Sequence, residues 1–163
     1  MREITIREAS LPDAAAITAC LEAAFEAYRE RYTPDGFDDT VLTPRSVEQR
    51  LHDMTVLVAE NDAAEVIGTL AFEVLRSGDG HLRGMAVLPR YQGRGVGGML
   101  LSTAESRLRE LSCVRVTLDT TRPLQRAMLF YGGRGYEHTG VVADFFGMEL
   151  FEYAKSLEQD RAT

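Results

Sequence analysis

The residues with the clearest chemical meaning lie together between positions 82 and 101. An apolar, strand-like run ends at Pro89, a loop crowded with glycine and arginine follows, and helical periodicity starts near Val96. Glycine lets backbone N–H groups turn toward a ligand without steric cost, and a helix N-terminus adds partial positive charge. Gln92, Gly93, Arg94, Gly95, Val96, Gly97 and Gly98 therefore make a candidate anion site, to which Arg90 and Arg94 can add full charges. Glycine fills four of the six positions from 93 to 98, more than a plain connecting turn needs. The ligand that suits this chemistry carries a pyrophosphate.

Other chemistries find little support. Cys20 and Cys113 are far apart and each falls in an apolar-periodic segment, so both read as reduced core thiols. His52, His81 and His138 share no ligand-like spacing, and no metal is expected. The net charge of −7 argues against non-specific nucleic-acid binding. No apolar run approaches the ~18 residues of a membrane span, and the alternating start at Glu3–Ile6 is unlike a signal peptide, so a cytoplasmic location is expected.

The elements that must position the loop follow from periodicity. Ile4 and Ile6 mark a strand over 3–7, and Ser10-Leu11-Pro12-Asp13 carries the chemistry of a helix start, with a helix expected to about Arg29. Phe25 and Tyr28 on that helix read as core. Residues 32–42 combine turn formers, aspartates and aromatics and read as a loop. Thr43-Pro44 caps a short helix through Val47, Leu51 and Met54. Strands over 55–60, 66–75 and 81–88, joined by short turns, form an antiparallel meander. Then come a helix from Val96 to Leu111, a strand over 113–118, a short helix over 124–131, and two strands around Val141-Val142 and 148–153. The fold class is α+β, a mixed, mostly antiparallel sheet of about six to seven strands with about four helices. With 163 residues and 45% hydrophobic content, residues 1–155 read as one domain and 156–163 as a charged tail.

Gly93, Gly95 and Gly98 also satisfy the dinucleotide-binding pattern G-x-G-x-x-G, and Asp119 lies about twenty residues on. Two points oppose an NAD-dependent oxidoreductase. In that fold the first glycine directly follows the strand, whereas Pro89-Arg90-Tyr91-Gln92 intervene here. A meander precedes the loop, and the chain left after Asp119 is too short for a second βαβαβ half.

With Gln92–Gly97 following the run Met85–Pro89, and Ala127–Tyr131 followed by Gly135-Tyr136, the chain resembles the GNAT superfamily of acetyl-CoA-dependent N-acetyltransferases. Gln92-Gly93-Arg94-Gly95-Val96-Gly97 is similar to the family's Q/R-x-x-G-x-G/A loop, and Met85-Ala86-Val87-Leu88-Pro89 to the strand before it. Ala127-Met128-Leu129-Phe130-Tyr131, followed by Gly135-Tyr136, looks like its second signature. The resemblance implies a sheet splayed between the 81–88 and 113–118 strands, with acetyl-CoA in the wedge as cosubstrate. Its pantetheine arm would pair with the backbone of Met85, Ala86 and Val87, and its pyrophosphate would rest on the N–H groups of Gln92 to Gly97. Tyr131 matches the family's general acid. His81 stands where many relatives carry a glutamate base, and an ordinary imidazole is a competent base at neutral pH. Water, main-chain carbonyls and Glu73 are the competing bases. Leu124 replaces a family asparagine that supports the CoA arm, with Thr120 and Thr121 as candidate substitutes.

The resemblance implies direct transfer of acetyl to a primary amine, with a small-molecule acceptor ahead of a peptide or protein amine. Asp35, Asp38, Asp39 and Asp144 are candidates for holding the cationic acceptor. A non-catalytic acyl-CoA-binding module is the alternative, and retention of Tyr131 speaks against it. The acceptor's identity is open, and so is a homodimer.

Overall fold

The computed structural model describes residues 3–158. Seven strands and five α-helices occur among them, one helix more than the sequence reading, in an α+β arrangement. The strands are β1 (Thr5–Glu8), β2 (Thr55–Glu60), β3 (Val66–Val74), β4 (Gly80–Val87), β5 (Arg115–Thr121), β6 (Glu137–Phe145) and β7 (Met148–Ser156). They form one sheet in the order β1-β2-β3-β4-β5-β7-β6, antiparallel except where β4 meets β5.

The helices are α1 (Ala14–Phe25), α2 (Pro34–Thr40), α3 (Pro44–Asp53), α4 (Val96–Glu110) and α5 (Gln125–Gly132). A 3-10 turn at Leu11–Asp13 leads into α1, and Asp13 Oδ2 accepts the Ser10 N–H at 2.8 Å, as the capping residues imply. Helical structure runs on past Phe25 as a 3-10 stretch to Arg31.

α2 corrects the expectation of a loop over 32–42. Thr33 caps it by accepting the Gly36 N–H at 3.2 Å, Pro34 takes the first helical position, and Asp35 lies in the first turn. The residues that suggested a loop are the residues of a helix start.

Seven successive residues of β3, Val66–Phe72, are buried, so both faces of the sheet's centre are covered. α4 packs on β2, β3 and β4, while α1 packs on β3, β4 and α3. Phe72, Leu70, Leu100, Leu101 and Leu108 are almost fully buried in the core between these elements. Cys20 and Cys113 are buried free thiols, and Phe25 joins the core.

β6 is longer than the Val141-Val142 pair suggested, because a register shift between His138 and Val142 interrupts its alternation. A two-residue turn with positive φ at Phe146 and Gly147 returns the chain into β7. β7 reaches Ser156, and Leu157 is 2% exposed with its N–H on the Val114 carbonyl at 2.8 Å. The ordered chain therefore passes the expected boundary at 155, since Leu157 has an apolar site to fill; residues 159–163 of the expected tail lie outside the described residues.

One buried polar cluster ties β7 to α4. Glu105, 6% exposed, accepts from the Tyr136 hydroxyl at 2.8 Å and from Lys155 Nζ at 3.0 Å. Glu105→Ala would leave both donors without their acceptor, and a loss of about 2 kcal/mol is expected, less than for a wholly buried pair because Lys155 keeps some contact with water. The midpoint of urea unfolding measures it.

Candidate active site

β4 and β5 pair only through Gly80–Leu82 and Val116–Leu118. Beyond these residues the two strands part. A bulge on β4 contributes to the parting: Gly84 and Met85 together oppose Leu70 of β3, with Gly84 at φ 64°. Such a bulge bends its strand and re-aims the residues after it. The result is a cleft of about 830 Å³ whose wall includes Met85, Ala86 and Val87 on one side and Asp119, Thr120 and Thr121 on the other.

The glycine loop closes one part of this cleft. Gly93 and Gly95 have φ of 76° and 85°, and no atom lies near where a Cβ would project, so backbone conformation is what demands glycine there. Gln92 holds the loop to the strand by donating its Nε2 to the Val87 carbonyl at 3.0 Å. Met99 N–H bonds the Gly95 carbonyl at 3.0 Å, so the N–H groups of Val96, Gly97 and Gly98 fall in a first helical turn, which offers them no carbonyl. Gln92, Gly93, Gly95, Val96, Gly97 and Gly98 all line the cleft.

Arg94 does not line it. Its guanidinium stacks 5.7 Å from the Tyr91 ring centre, and Arg90 is ion-paired with Glu65. The arginines on the cleft include Arg126, of α5, and Arg134, just beyond it. Arg134 lies so close to Gly98 that any Cβ there would collide with its guanidinium. A cation held against a helix N-terminus adds to the positive field instead of cancelling it.

Tyr131 and His81 both line the same cleft. Tyr131 is 8% exposed, its ring edge-on to Phe130 and Tyr136 at 5.4 and 5.7 Å. Its hydroxyl has no hydrogen-bond partner among the described residues, and burial pushes the phenol well above the usual tyrosine range. His81 is half-buried on β4 and not loose in the preceding turn. Its Nδ1 lies 2.8 Å from Thr117 Oγ1, and its Nε2 lies 3.6 Å from Asp119 Oδ2. Partial burial raises the Asp119 carboxyl above its usual range, while the His81 charge pulls it back down.

Thr120 and Thr121 differ. Thr121 Oγ1 is engaged with the Tyr32 hydroxyl at 2.5 Å, whereas Thr120 Oγ1 is buried with no partner among the described residues. Leu124 lines the cleft as the residue just before α5. Of the four aspartates considered for the acceptor, Asp39 lines the cleft and Asp35, Asp38 and Asp144 do not. Glu73, Arg50 and Arg83 line it as well. Among the described residues no cluster of metal-ligating side chains occurs, and no helix is long and apolar enough to cross a membrane.

Residues 17–136 match the model of the acetyltransferase (GNAT) family. The chain belongs to that family. GNAT structures with the same fold include an N-acetyltransferase from Thermoplasma acidophilum in complex with coenzyme A, at 18% identity and TM-score 0.79, covering 94% of this chain and 99% of that one. An acetyltransferase from Staphylococcus aureus Mu50 aligns at 18% identity and TM-score 0.78, covering 96% and 100%. The ribosomal-protein-S18-alanine N-acetyltransferase of Escherichia coli aligns at 13% identity and TM-score 0.77, covering 99% and 98%. At these identities the likeness establishes the fold, and the family establishes an acetyltransferase.

Within this GNAT fold the sequence reading missed Asp119, Arg126, Arg134 and Arg50 as residues of the cleft. The parallel pairing of His81 with Thr117 puts Asp119 near the imidazole. α5 carries Arg126, and the turn after it brings Arg134 to the start of α4. Neither relation leaves a local spacing in the chain.

Proposed function

We propose that the chain acts as one acetyltransferase domain, running past residue 155 to take in Leu157, and that it moves acetyl from acetyl-CoA directly to the primary amine of a small molecule, in the cytoplasm. The supporting observation is that one continuous cleft, opened where β4 leaves β5, carries the glycine loop, the β4 backbone, Tyr131 and His81 together. The cleft fits the donor: an extended amide arm can pair with Met85 to Val87, and the N–H groups of Gly93 to Gly98 with Arg126 and Arg134 suit the phosphates. Thr120, with its free hydroxyl, is the substitute for the asparagine that Leu124 replaces.

In this mechanism an acceptor ammonium gives one proton to His81, directly or through water, and that proton passes to solvent. The free amine attacks the thioester carbonyl, whose developing charge is met by a backbone N–H of the 85–87 strand. The carbon–sulfur bond breaks with its electron pair on sulfur. Tyr131 gives its proton to the thiolate and regains one from the acylated nitrogen. The products are an amide, CoA thiol and one released proton.

Thermal shift tests the donor. A ligand at about 100 times its Kd stabilises the folded state by about 2.7 kcal/mol, which for a chain of this size raises Tm by about 5 °C or more. That rise is expected with acetyl-CoA and with CoA, and not with NAD(H). A rise with NAD(H) alone would sink the reading.

A further inference from the structure

Arg50 projects from α3 to the β4 bulge, where its Nη1 would collide with any Cβ on Gly84. It is half-buried on the cleft wall. Among the described residues it has no ion pair and no side-chain hydrogen bond; Asp39 and Glu73 reach it only as distant charges. Burial, and then the neighbouring Arg83 charge, pull its guanidinium down to about 10. Arg83 itself is different, being largely exposed and 3.8 Å from Asp39.

A guanidinium withdrawn from water without an acceptor is destabilising, and a fold keeps one where something else pairs with it. Its planar fork matches a carboxylate through two parallel hydrogen bonds. In the reading above, the donor's own phosphates are met at the glycine loop by backbone N–H groups, Arg126 and Arg134. The anion for Arg50 then has to come from the acceptor. Asp39 and Glu73 also line the cleft within reach of the Arg50 charge, and Asp119 lines it within reach of the Arg83 charge. A bare di- or polyamine would meet repulsion from Arg50 and Arg83. A phosphate dianion would meet it from the three carboxylates. A zwitterion is repelled less than either, because its single negative charge can pair with Arg50 while its ammonium lies toward the carboxylates.

We propose that Arg50 binds a carboxylate of the acceptor, so that the amine acetylated by this protein belongs to a small zwitterion, an amino acid or a close analogue. The proposal rests on the acetyl-transfer reading, and its test separates the two. Matched acceptors are offered to the full chain saturated with CoA or acetyl-CoA: amino acids, the amines left by their decarboxylation, and aminoalkyl phosphonates of equal length. Binding is read by calorimetry on the CoA-loaded protein and turnover by thiol release.

The expected result is that an amino acid binds and is turned over with kcat/KM roughly 50-fold above its decarboxylated partner. Arg50→Gln should erase that advantage, chiefly through KM, without changing the Tm rise given by CoA, and Arg50→Lys should restore part of it. Equal or better use of the decarboxylated amines overturns the proposal, as does a preference for phosphonates or no binding of any amino acid. Amino-acid binding that is lost in Arg50→Gln while no acceptor releases thiol would support the carboxylate site and sink the transfer reading. Should Arg50→Gln fail to fold, the matched acceptors on the unaltered chain and on Arg50→Lys decide the matter.

Discussion

Tyr131→Phe is expected to lower kcat by about 10²- to 10⁴-fold, the range for loss of a positioned proton donor, while leaving the Tm rise with CoA unchanged. The substitution keeps the ring and its edge-on contacts with Phe130 and Tyr136, so packing survives. The hydroxyl it removes has no partner among the described residues, so little folding stability goes with it; the loss should stay below about 1 kcal/mol. In the proposed mechanism, what disappears is the proton for the departing sulfur.

The raised pKa of Tyr131 bears on the shape of this result. A buried phenol that ionises less readily is a weaker acid, which at first counts against the role. In the proposed mechanism, however, the leaving thiolate forms in the same shielded pocket, and withdrawal from water raises its own affinity for a proton. The two shifts run in the same direction and largely offset one another. The phenol also stays protonated over the working range. Its folded value lies above the ordinary one, so the donor form is lost only when pH rises through that higher value, and no alkaline fall from Tyr131 ionisation should occur up to about pH 10. Stopped assays of thiol release across pH measure both effects, and unchanged turnover in Tyr131→Phe removes the acid role.

The parts of this site that were legible in the sequence are those in which residue type and local conformation coincide. Gly93 and Gly95 occupy positive φ, and the strand before them and the helix after them show in periodicity alone. Tyr131 is found through its neighbours Ala127 and Tyr136. α2 was misread because Thr33, Pro34 and Asp35 serve turns and helix starts equally, and seven residues give too few periods to arbitrate. The arginines were misassigned for a different reason. Arg90 and Arg94 stand beside the loop in sequence but turn to Glu65 and Tyr91, whereas Arg126 and Arg134 arrive through α5 and the turn after it. Arg50 needs the bulge at Gly84 and the packing of α3 before it means anything. Proximity created by tertiary packing carries no spacing rule.

The imidazole shows the same dependence on pairing, and it leads to the second large effect. His81→Ala is expected to reduce kcat/KM about 10²-fold near neutral pH, with the deficit closing as pH rises toward the pKa of the acceptor amine. The sign follows from the work a base does. In the proposed reaction the acceptor is ammonium at neutral pH and must be deprotonated on the enzyme; at high pH it arrives already neutral, and the base is dispensable. A residue that only packs would give a deficit independent of pH. Asp119→Asn adds a second arm. At 3.6 Å, Asp119 Oδ2 is too far for a direct hydrogen bond to Nε2, which leaves that nitrogen free for a water or the amine. With no direct bond to lose, Asp119→Asn should cost less activity than His81→Ala, since it leaves the imidazole in place to take the proton. A His81→Ala profile parallel to that of the unaltered protein would dismiss His81 as the base and leave water and main-chain carbonyls in that role.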